Sequence, residues 1–265
     1  MQNVRELVLE EKVEVLVIVP VEADLACEMV EFASSHGVKV IAYSRPINHP
    51  KVDFHVRFDV PQIGRAQADY AVKAKPKGKY VIIQGPTQDL NTALIMEGVN
   101  DVLKPKIEAG EVEILETAYL SGWTKLKAID SVEGIITRYG SAIDAYIVAN
   151  DMIAEAVIEH LPEDQKGNII VTGLDAEVKA CKRVVAKEQS MTVLLPPLYI
   201  ASCVANTALF LASGEEEYIE DYEVVDEQVD DYVLKSIQLP SEVLDATNVK
   251  DKIAEHKLFP VGWLE

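Results

Sequence analysis

The sequence of 265 residues predicts an α/β fold in which helices cover both faces of parallel sheets. Short aliphatic runs alternate with segments of helical periodicity, and the first run, at 13–20, is almost wholly aliphatic. Such a run is typical of a parallel strand buried on both faces. The runs are too numerous for one small sheet, so we predict two doubly wound sheets with a cleft between them. An eight-stranded α/β barrel is the alternative, but the chain lacks one unbroken strand–helix series.

The first half of the chain repeats the strand-then-helix order. Gly37 is a stop signal for the helix before it, because glycine readily takes the left-handed conformation that ends helices. Pro105 is expected to end a later helix, because proline lacks a backbone donor. The predicted elements, in order, are a helix at 4–11, a strand at 13–20, a helix at 24–36, strands at 38–43 and 54–59, a helix at 62–72, a strand at 80–85 and a helix at 90–103.

The second half continues the alternation with shorter strands. The alternation is less regular near the end of the chain, where the segment 232–239 is predicted to be extended. The predicted elements are strands at 112–117, 145–149, 168–173 and 191–195, with helices at 126–139, 153–160, 176–186, 198–213 and 249–257.

Composition limits the classes of function. The net charge of −19 argues against nucleic acids and anionic membrane surfaces as partners. The three cysteines are widely and irregularly spaced, which predicts buried thiols and neither a disulfide framework nor a zinc site. The five histidines form no HExxH pair, and the phosphate-loop, dinucleotide and nucleophile-elbow motifs are missing. We therefore expect a protein that is not an enzyme and needs no cofactor.

Polar groups recur just after the apolar runs. The carboxyl ends of strands are where open α/β sheets bind their ligands. Amides, carboxylates, one guanidinium and one tryptophan in a polar loop together suit an uncharged, polyhydroxylated ligand, and a sugar is the natural candidate. These groups include Arg45, Gln67, Gln84, Asp89, Asn91, Trp123, Asn150, Asp151 and Asp175.

The order and spacing of nine segments resemble the type I periplasmic sugar-binding proteins, most closely the D-xylose-binding proteins. The resemblance covers about residues 4–213 and, more weakly, 240–257. It implies two Rossmann-like lobes joined by a three-crossing hinge, the first formed by 1–59 and 193–221 and the second by 60–192 and 222–265. The matching segments include Lys39-Val40-Ile41-Ala42-Tyr43-Ser44-Arg45, Asp89-Leu90-Asn91, Ser121-Gly122-Trp123, Asn150-Asp151, Gly173-Leu174-Asp175-Ala176 and Met191-Thr192-Val193.

Each candidate ligand residue also has an ordinary structural interpretation. An arginine after a strand can form a surface ion pair, aspartate and asparagine can cap helices or shape turns, and tryptophan more often packs in a core. The resemblance implies instead that these residues contact sugar, whereas Asp151 is interpreted as a helix cap and Trp263 is assigned no role in binding. The six predicted ligand residues are Arg45, Asp89, Asn91, Trp123, Asn150 and Asp175.

The chain departs from the family pattern at three places. Ser44 stands where the family has an aspartate, and Leu195 stands where it has a hinge lysine, which bears on the choice of sugar. The two βα units with which family members begin are also missing. Because the aliphatic strand at 13–20 needs a neighbour on each side, we predict that the first lobe is incomplete and that its uncovered edge is an association site.

The resemblance implies an extracytoplasmic, membrane-associated receptor whose signal or anchor segment lies outside this chain. It would close its lobes on D-xylose or a related pentose and present the closed form to a membrane partner. That partner would be an ABC permease or, as in a clostridial xylose-sensing variant, a sensor histidine kinase of a two-component system. The alternative is the effector-binding domain of a sugar-responsive transcription regulator, although the chain shows no helix-turn-helix of its own.

Overall fold

The computed structural model describes residues 1–264, which form two compact units. The strands are β1 (Val15–Ile18), β2 (Lys39–Tyr43), β3 (Phe54–Phe58), β4 (Gly78–Gln84), β5 (Val112–Tyr119), β6 (Ala145–Val148), β7 (Ile170–Val171), β8 (Met191–Leu194), β9 (Val224–Val229), β10 (Tyr232–Leu239) and β11 (Glu242–Asp245). The helices are α1 (Gln2–Leu9), α2 (Ala23–Ser35), α3 (Val60–Ala74), α4 (Leu90–Glu108), α5 (Lys125–Tyr139), α6 (Asp151–His160), α7 (Val178–Val185), α8 (Pro197–Ser213) and α9 (Val249–Glu255).

The first unit contains residues 1–59 and 196–240. Its sheet has the strand order β1-β2-β3-β10-β9, and all neighbours are parallel except the antiparallel pair β10–β9. Residues of α1 and α2 pack on one face of the sheet around Leu16 and Val40. On the other face, Phe210 of α8 makes an edge-on contact with Phe54, with ring centroids 5.9 Å apart.

Strand β1 lies at an edge of this sheet. Among residues 1–264 it pairs with β2 alone. Val17 and Val19, which alternate with the buried Leu16 and Ile18, are 41% and 58% exposed. An aliphatic strand with an open edge can pair with a strand of another chain. The association site predicted from the sequence would lie at this edge, and it stays a prediction.

The second unit contains residues 60–195 and 241–265, of which the structure describes those up to 264. Its main sheet is parallel, with the order β5-β4-β6-β7. Helices α3 and α4 cover the face that includes Tyr80 and Ile82, and α5 and α6 cover the face that includes Val81 and Ile83. Strands β8 and β11 form an antiparallel ribbon, and a parallel bridge joins Leu174 to Val193 of β8. The predicted α/β class with parallel sheets is thus confirmed, and the barrel alternative is wrong because both main sheets are open.

Two of the predicted lobe boundaries are wrong. The chain passes between the units after residues 59, 195 and 240, whereas the family resemblance predicted the second and third passages after 192 and 221. Residues 193–195 stay with the second unit because β8 pairs with β11. Residues 222–240 belong to the first unit because β10 pairs in parallel register with β3, from Ser236 opposite His55 to Leu239 opposite Phe58.

The helix predicted to end before Pro105 continues to Glu108. Proline removes one backbone donor but keeps its carbonyl, and the Pro105 carbonyl accepts a hydrogen bond from the Ala109 N–H at 3.1 Å. Strands β9 and β11 were missed. The first is an acidic edge strand that alternates between half-buried and exposed residues, and the second has only four residues, so neither carries an aliphatic run.

Candidate functional site

The second unit gathers four of the loops predicted to bind ligand along one edge of its sheet. Because β4, β5, β6 and β7 are parallel, the loops that follow them leave from the same edge. In the spatial order of the strands, these loops carry Trp123 after β5, Asp89 and the α4 residue Asn91 after β4, Asn150 after β6, and Asp175 after β7.

Asp89 joins two neighbouring loops. Its Oδ1 accepts a hydrogen bond from the Asn91 N–H at 3.0 Å and so caps α4, and its Oδ2 accepts one from Trp123 Nε1 at 3.0 Å. The indole is thereby held at its polar end, while Trp123 stays 39% exposed. An aromatic ring fixed in this way offers a face to the C–H side of a ligand.

Gly85 makes room for the Trp123 ring. A Cβ atom at position 85 would lie 2.1 Å from Trp123 Cζ2 and 2.9 Å from Thr92 Oγ1. Only glycine lets the ring lie this close to the backbone at the end of β4. The spacing of glycine and tryptophan in the sequence gives no sign of this contact, because the two residues follow different strands.

Asn150, and not Asp151, caps helix α6. Asn150 Oδ1 accepts from the Ile153 N–H at 3.1 Å, in the extended backbone conformation typical of an N-cap. The assignment of Asp151 as the cap is therefore wrong, because α6 already includes it as its first residue. The Asn150 side chain keeps an amide group that can donate to a ligand.

Asp151 is fully buried and accepts three hydrogen bonds. They come from Gln189 Nε2 at 2.8 Å, Thr192 Oγ1 at 3.0 Å and the Glu177 N–H at 3.0 Å. Burial raises the pKa of Asp151 to about 7, against the opposing effect of these hydrogen bonds, and the negative charge of Asp175 adds to the increase. This role is not apparent from the sequence, because the three hydrogen-bond donors come from residues 26, 38 and 41 positions further along the chain.

This raised pKa predicts how stability depends on pH. An unfolded aspartate has a pKa near 3.8, so between about pH 4 and 7 the folded state holds a proton on Asp151 that the unfolded state has lost. The stability from this proton is fully present below about pH 4 and is lost as the pH rises through 7. Its contribution falls by up to about 1.4 kcal/mol per pH unit. Urea unfolding at several pH values should show a larger decrease in the wild type than in Asp151→Asn, where the contribution of Asp175, whose pKa is also raised, remains. Parallel curves for the two proteins would contradict the prediction.

Asp175 has an unusual backbone conformation. Its φ is +101° and that of Ala176 is +50°, a region that residues with a Cβ seldom adopt. The Asp175 side chain is exposed to solvent, yet desolvation by the surrounding protein, followed by the charge of Glu177, raises its pKa to about 6. The carboxylate can accept hydrogen bonds from hydroxyl groups.

Arg45 belongs to the first unit and follows the carboxyl end of the parallel strand β2. Its side chain is exposed, and its N–H donates to the Tyr43 carbonyl at 2.7 Å. Ser44 before it has a φ of +65°, so the chain turns sharply at the point where the strand ends. The structure thus gives Arg45 a strand-end position like those of the other predicted residues.

Two glutamines of the second unit are fully buried near the same edge. Gln67 Nε2 donates to the carbonyls of Val148 and Gly173, each at 3.0 Å, and so links the last residue of β6 to the segment after β7. Neither amide atom of Gln84 has a partner among the described residues. The burial of both glutamines is not apparent from the sequence, because Gln67 lies inside α3 and Gln84 is the last residue of β4, and the burial of polar residues at such positions depends on tertiary packing.

Two classes of feature do not occur in residues 1–264. No group of three or more His, Cys, Asp or Glu side chains could hold a metal ion there. No helix in that range has the length and apolarity needed to cross a bilayer.

Comparison with known proteins gives three findings. A family model described as periplasmic binding protein domain matches residues 1–216. The D-xylose-binding periplasmic protein of Haemophilus influenzae is 31% identical over 250 residues, which cover 93% of this chain and 75% of that protein. The D-xylose-binding periplasmic protein of Escherichia coli is 33% identical over 205 residues, which cover 77% of this chain and 62% of that protein.

A solved structure has the same fold. The ABC transporter solute-binding protein from Clostridium phytofermentans, with bound β-D-glucose, superposes with a TM-score of 0.83 at 24% identity. The superposition covers 100% of this chain and 86% of that one. At this identity the similarity shows the fold alone, which is the two-lobe type I periplasmic binding protein fold.

Proposed function

The chain belongs to the periplasmic binding protein domain family, and from this premise we propose that it is a non-enzymatic receptor for a neutral sugar, D-xylose or a related pentose. The observation that carries the proposal is the edge of the second unit, where Trp123, Asp89, Asn150 and Asp175 follow four neighbouring parallel strands. The hydroxyls of a pentose would find acceptors, donors and an aromatic face at this edge.

Each residue has a distinct task in this proposal. Trp123 would lie against the apolar side of the sugar ring, while Asp89 and Asp175 would accept hydrogen bonds from its hydroxyls. The side-chain amides of Asn91 and Asn150 can both donate and accept hydrogen bonds. The side chains of Asp89 and Asn150 each accept from one backbone N–H group at the start of a helix, which leaves lone pairs on Asp89 and amide hydrogens on Asn150 for a ligand. Arg45 would donate two parallel hydrogen bonds from the first unit.

A calorimetric panel of pentoses and hexoses on the full-length protein tests the proposal. D-xylose or a close pentose is expected to bind with a stoichiometry of one, and lack of binding by every sugar would overturn the proposal. The panel also tests the two departures from the family pattern, since Ser44 and Leu195 replace charged residues and bear on which sugar is preferred.

Replacing Arg45 with alanine should weaken xylose binding by about 10- to 100-fold, because hydrogen bonds from a charged group contribute about 1.5–3 kcal/mol. Arg138→Ala is the matched control. Arg138 lies in the last turn of α5, whereas the loop that carries Trp123 leads into the first turn of that helix. Arg138 forms an exposed ion pair with Glu116. Calorimetry giving wild-type affinity for Arg45→Ala would remove this residue from the site.

We also propose that the two lobes close on the sugar, as a family with two lobes allows. Small-angle scattering of the full chain should then show a smaller radius of gyration with xylose than without it. Identical curves at saturating xylose, in a sample whose binding has been confirmed by calorimetry, would count against closure.

Finally, we propose that the receptor acts outside the cytoplasm, associated with the membrane, and presents its closed form to a sensor histidine kinase or an ABC permease. A photo-crosslinking residue at Val21, which is 86% exposed in the first unit, offers a test in native membranes. A crosslink that depends on xylose would support the proposal, and mass spectrometry would identify the partner. Crosslinking that xylose does not change would contradict recognition of the closed form.

A further inference from the structure

The segment Gly173–Glu177, which we call the Asp175 loop, holds two consecutive residues in an unfavourable backbone conformation. Asp175 and Ala176 both have positive φ values, +101° and +50°. Conformations of this kind cost on the order of 1–3 kcal/mol for each non-glycine residue and persist only where surrounding contacts impose them. The contacts that impose this one are therefore part of the site.

Backbone hydrogen bonds hold the first part of the loop. The Leu174 carbonyl accepts from the Asp151 N–H at 2.9 Å, and the Asp175 N–H donates to the Val193 carbonyl at 2.9 Å. The Val193 N–H in turn donates to the Gly173 carbonyl at 3.1 Å. These bonds tie the loop to α6 and β8, but they leave the N–H groups of Ala176 and Glu177 to be satisfied by other partners.

Two buried side chains satisfy those N–H groups. Thr192 Oγ1 accepts from the Ala176 N–H at 3.2 Å and donates to Asp151 Oδ2 at 3.0 Å. The same Asp151 oxygen accepts from the Glu177 N–H at 3.0 Å. Asp151 and Thr192 are both fully buried, so water does not compete for these bonds, and their loss would leave buried polar groups unpaired.

Further contacts fix the orientation of the Asp151 carboxylate. Gln189 Nε2 donates to Asp151 Oδ1, and Gln189 Oε1 accepts from Arg183 Nε at 3.1 Å, which sets the orientation of the amide. A Cβ atom at Gly173 would lie 2.1 Å from Asp151 Oδ1 and 2.4 Å from Gln189 Nε2. Position 173 must therefore be glycine for Asp151 and Gln189 to keep this contact.

We propose that Asp151 and Thr192 are positioning residues, which never touch the sugar but hold the Asp175 loop in the strained conformation that presents the Asp175 carboxylate to it. The inference rests on the proposed function, in which Asp175 accepts from sugar hydroxyls. Without the Thr192 hydroxyl the loop loses the acceptor for Ala176 and relaxes, so Asp175 no longer has its bound geometry before the sugar arrives.

A double-mutant cycle separates positioning from general structural support. Thr192→Val keeps the shape and removes the hydroxyl, and Thr192→Ser keeps the hydroxyl. By calorimetry with D-xylose, Thr192→Val is expected to bind about tenfold more weakly than the wild type, and Thr192→Ser within about twofold of it. In the background of Asp175→Asn, which itself weakens binding, Thr192→Val should cost less than about twofold more, because it acts through Asp175.

The outcomes distinguish this inference from the proposed function. If the wild type binds no sugar, the proposed function fails and the inference fails with it. If the wild type binds and Asp175→Asn weakens binding, but Thr192→Val has no effect or weakens both backgrounds equally, the inference alone is overturned. Thermal unfolding checks that each variant is folded. Should Thr192→Val not fold, Asp151→Asn takes its place in the cycle with the same expectation, because an amide cannot satisfy Gln189, Thr192 and Glu177 together.

Discussion

Trp123→Ala is expected to weaken D-xylose binding by about 30- to 1,000-fold, equivalent to about 2–4 kcal/mol. The ring would supply the one extended apolar surface of the proposed site, and its Nε1 hydrogen bond to Asp89 Oδ2 keeps it in position before the ligand binds. Alanine removes the surface and also leaves the Asp89 carboxylate without one of the donors that orient it. Calorimetry gives the affinity, and the sugar-induced change in tryptophan fluorescence should disappear in the same variant.

Trp263→Ala is the matched control for this prediction. Trp263 is 56% exposed, stacks on Phe259 near the end of the described chain, and is given no part in binding. Its replacement should leave the affinity and the fluorescence response to sugar unchanged. Wild-type affinity in Trp123→Ala would remove the stacking role and, with it, the main reason to propose a ring-shaped ligand.

The largest effect on stability is expected from Gly98→Ala, with a loss of about 3 kcal/mol or more in the free energy of unfolding. Helices α3 and α4 cross with glycines at the contact. A Cβ atom at Gly98 would lie 1.8 Å from the Pro61 carbonyl oxygen, and one at Gly64 would lie 2.0 Å from the Ile95 carbonyl oxygen. Neither backbone can move aside without separating the helices. Urea unfolding of the variant measures the loss.

Gly134→Ala is the control, since Gly134 is also a glycine inside a helix. Its added Cβ would meet the flexible end of the Arg138 side chain at 3.2 Å, which can move. Alanine should therefore be neutral there or stabilising by up to about 1 kcal/mol through helix propensity. Equal effects of the two substitutions would show that propensity, and not the close approach of α3 and α4, governs these positions.

Most of the fold followed from local patterns in the sequence. The aliphatic runs that became β2, β4 and β6 are largely buried strands in the structure, because helices cover both faces of a parallel sheet, whereas the run that became β1 lies at an edge and leaves Val17 exposed. Strand β9 was not predictable in this way. Its sequence is acidic, and its residues alternate between half-buried and exposed. Its position in the sheet depends on antiparallel pairing with β10, and both strands lie far in sequence from β1, β2 and β3 of the same unit.

In the candidate site, too, some features follow from the local sequence and others depend on contacts between distant residues. Asn150 and Asp151 are neighbours that can both cap a helix, and the prediction that Asp151 is the cap of α6 is wrong because Asn150 takes that position. Asp151 is the first residue of α6, and its carboxylate is buried. It accepts hydrogen bonds from Gln189 and Thr192, which lie 38 and 41 positions further along the chain. Residues so distant in sequence carry no local signal of their contact.

The sequence by itself determined the α/β class, the family and the placement of polar residues after strands, because each of these depends on short-range periodicity or on matched segments. Only the tertiary structure decided that residues 222–240 join the first unit, that Trp123 lies against Gly85 and Asp89, and that Asp151 supports the loop of Asp175. These features arise from contacts between segments that are remote in the chain. Burial and hydrogen bonding, and not local preference, set their energies.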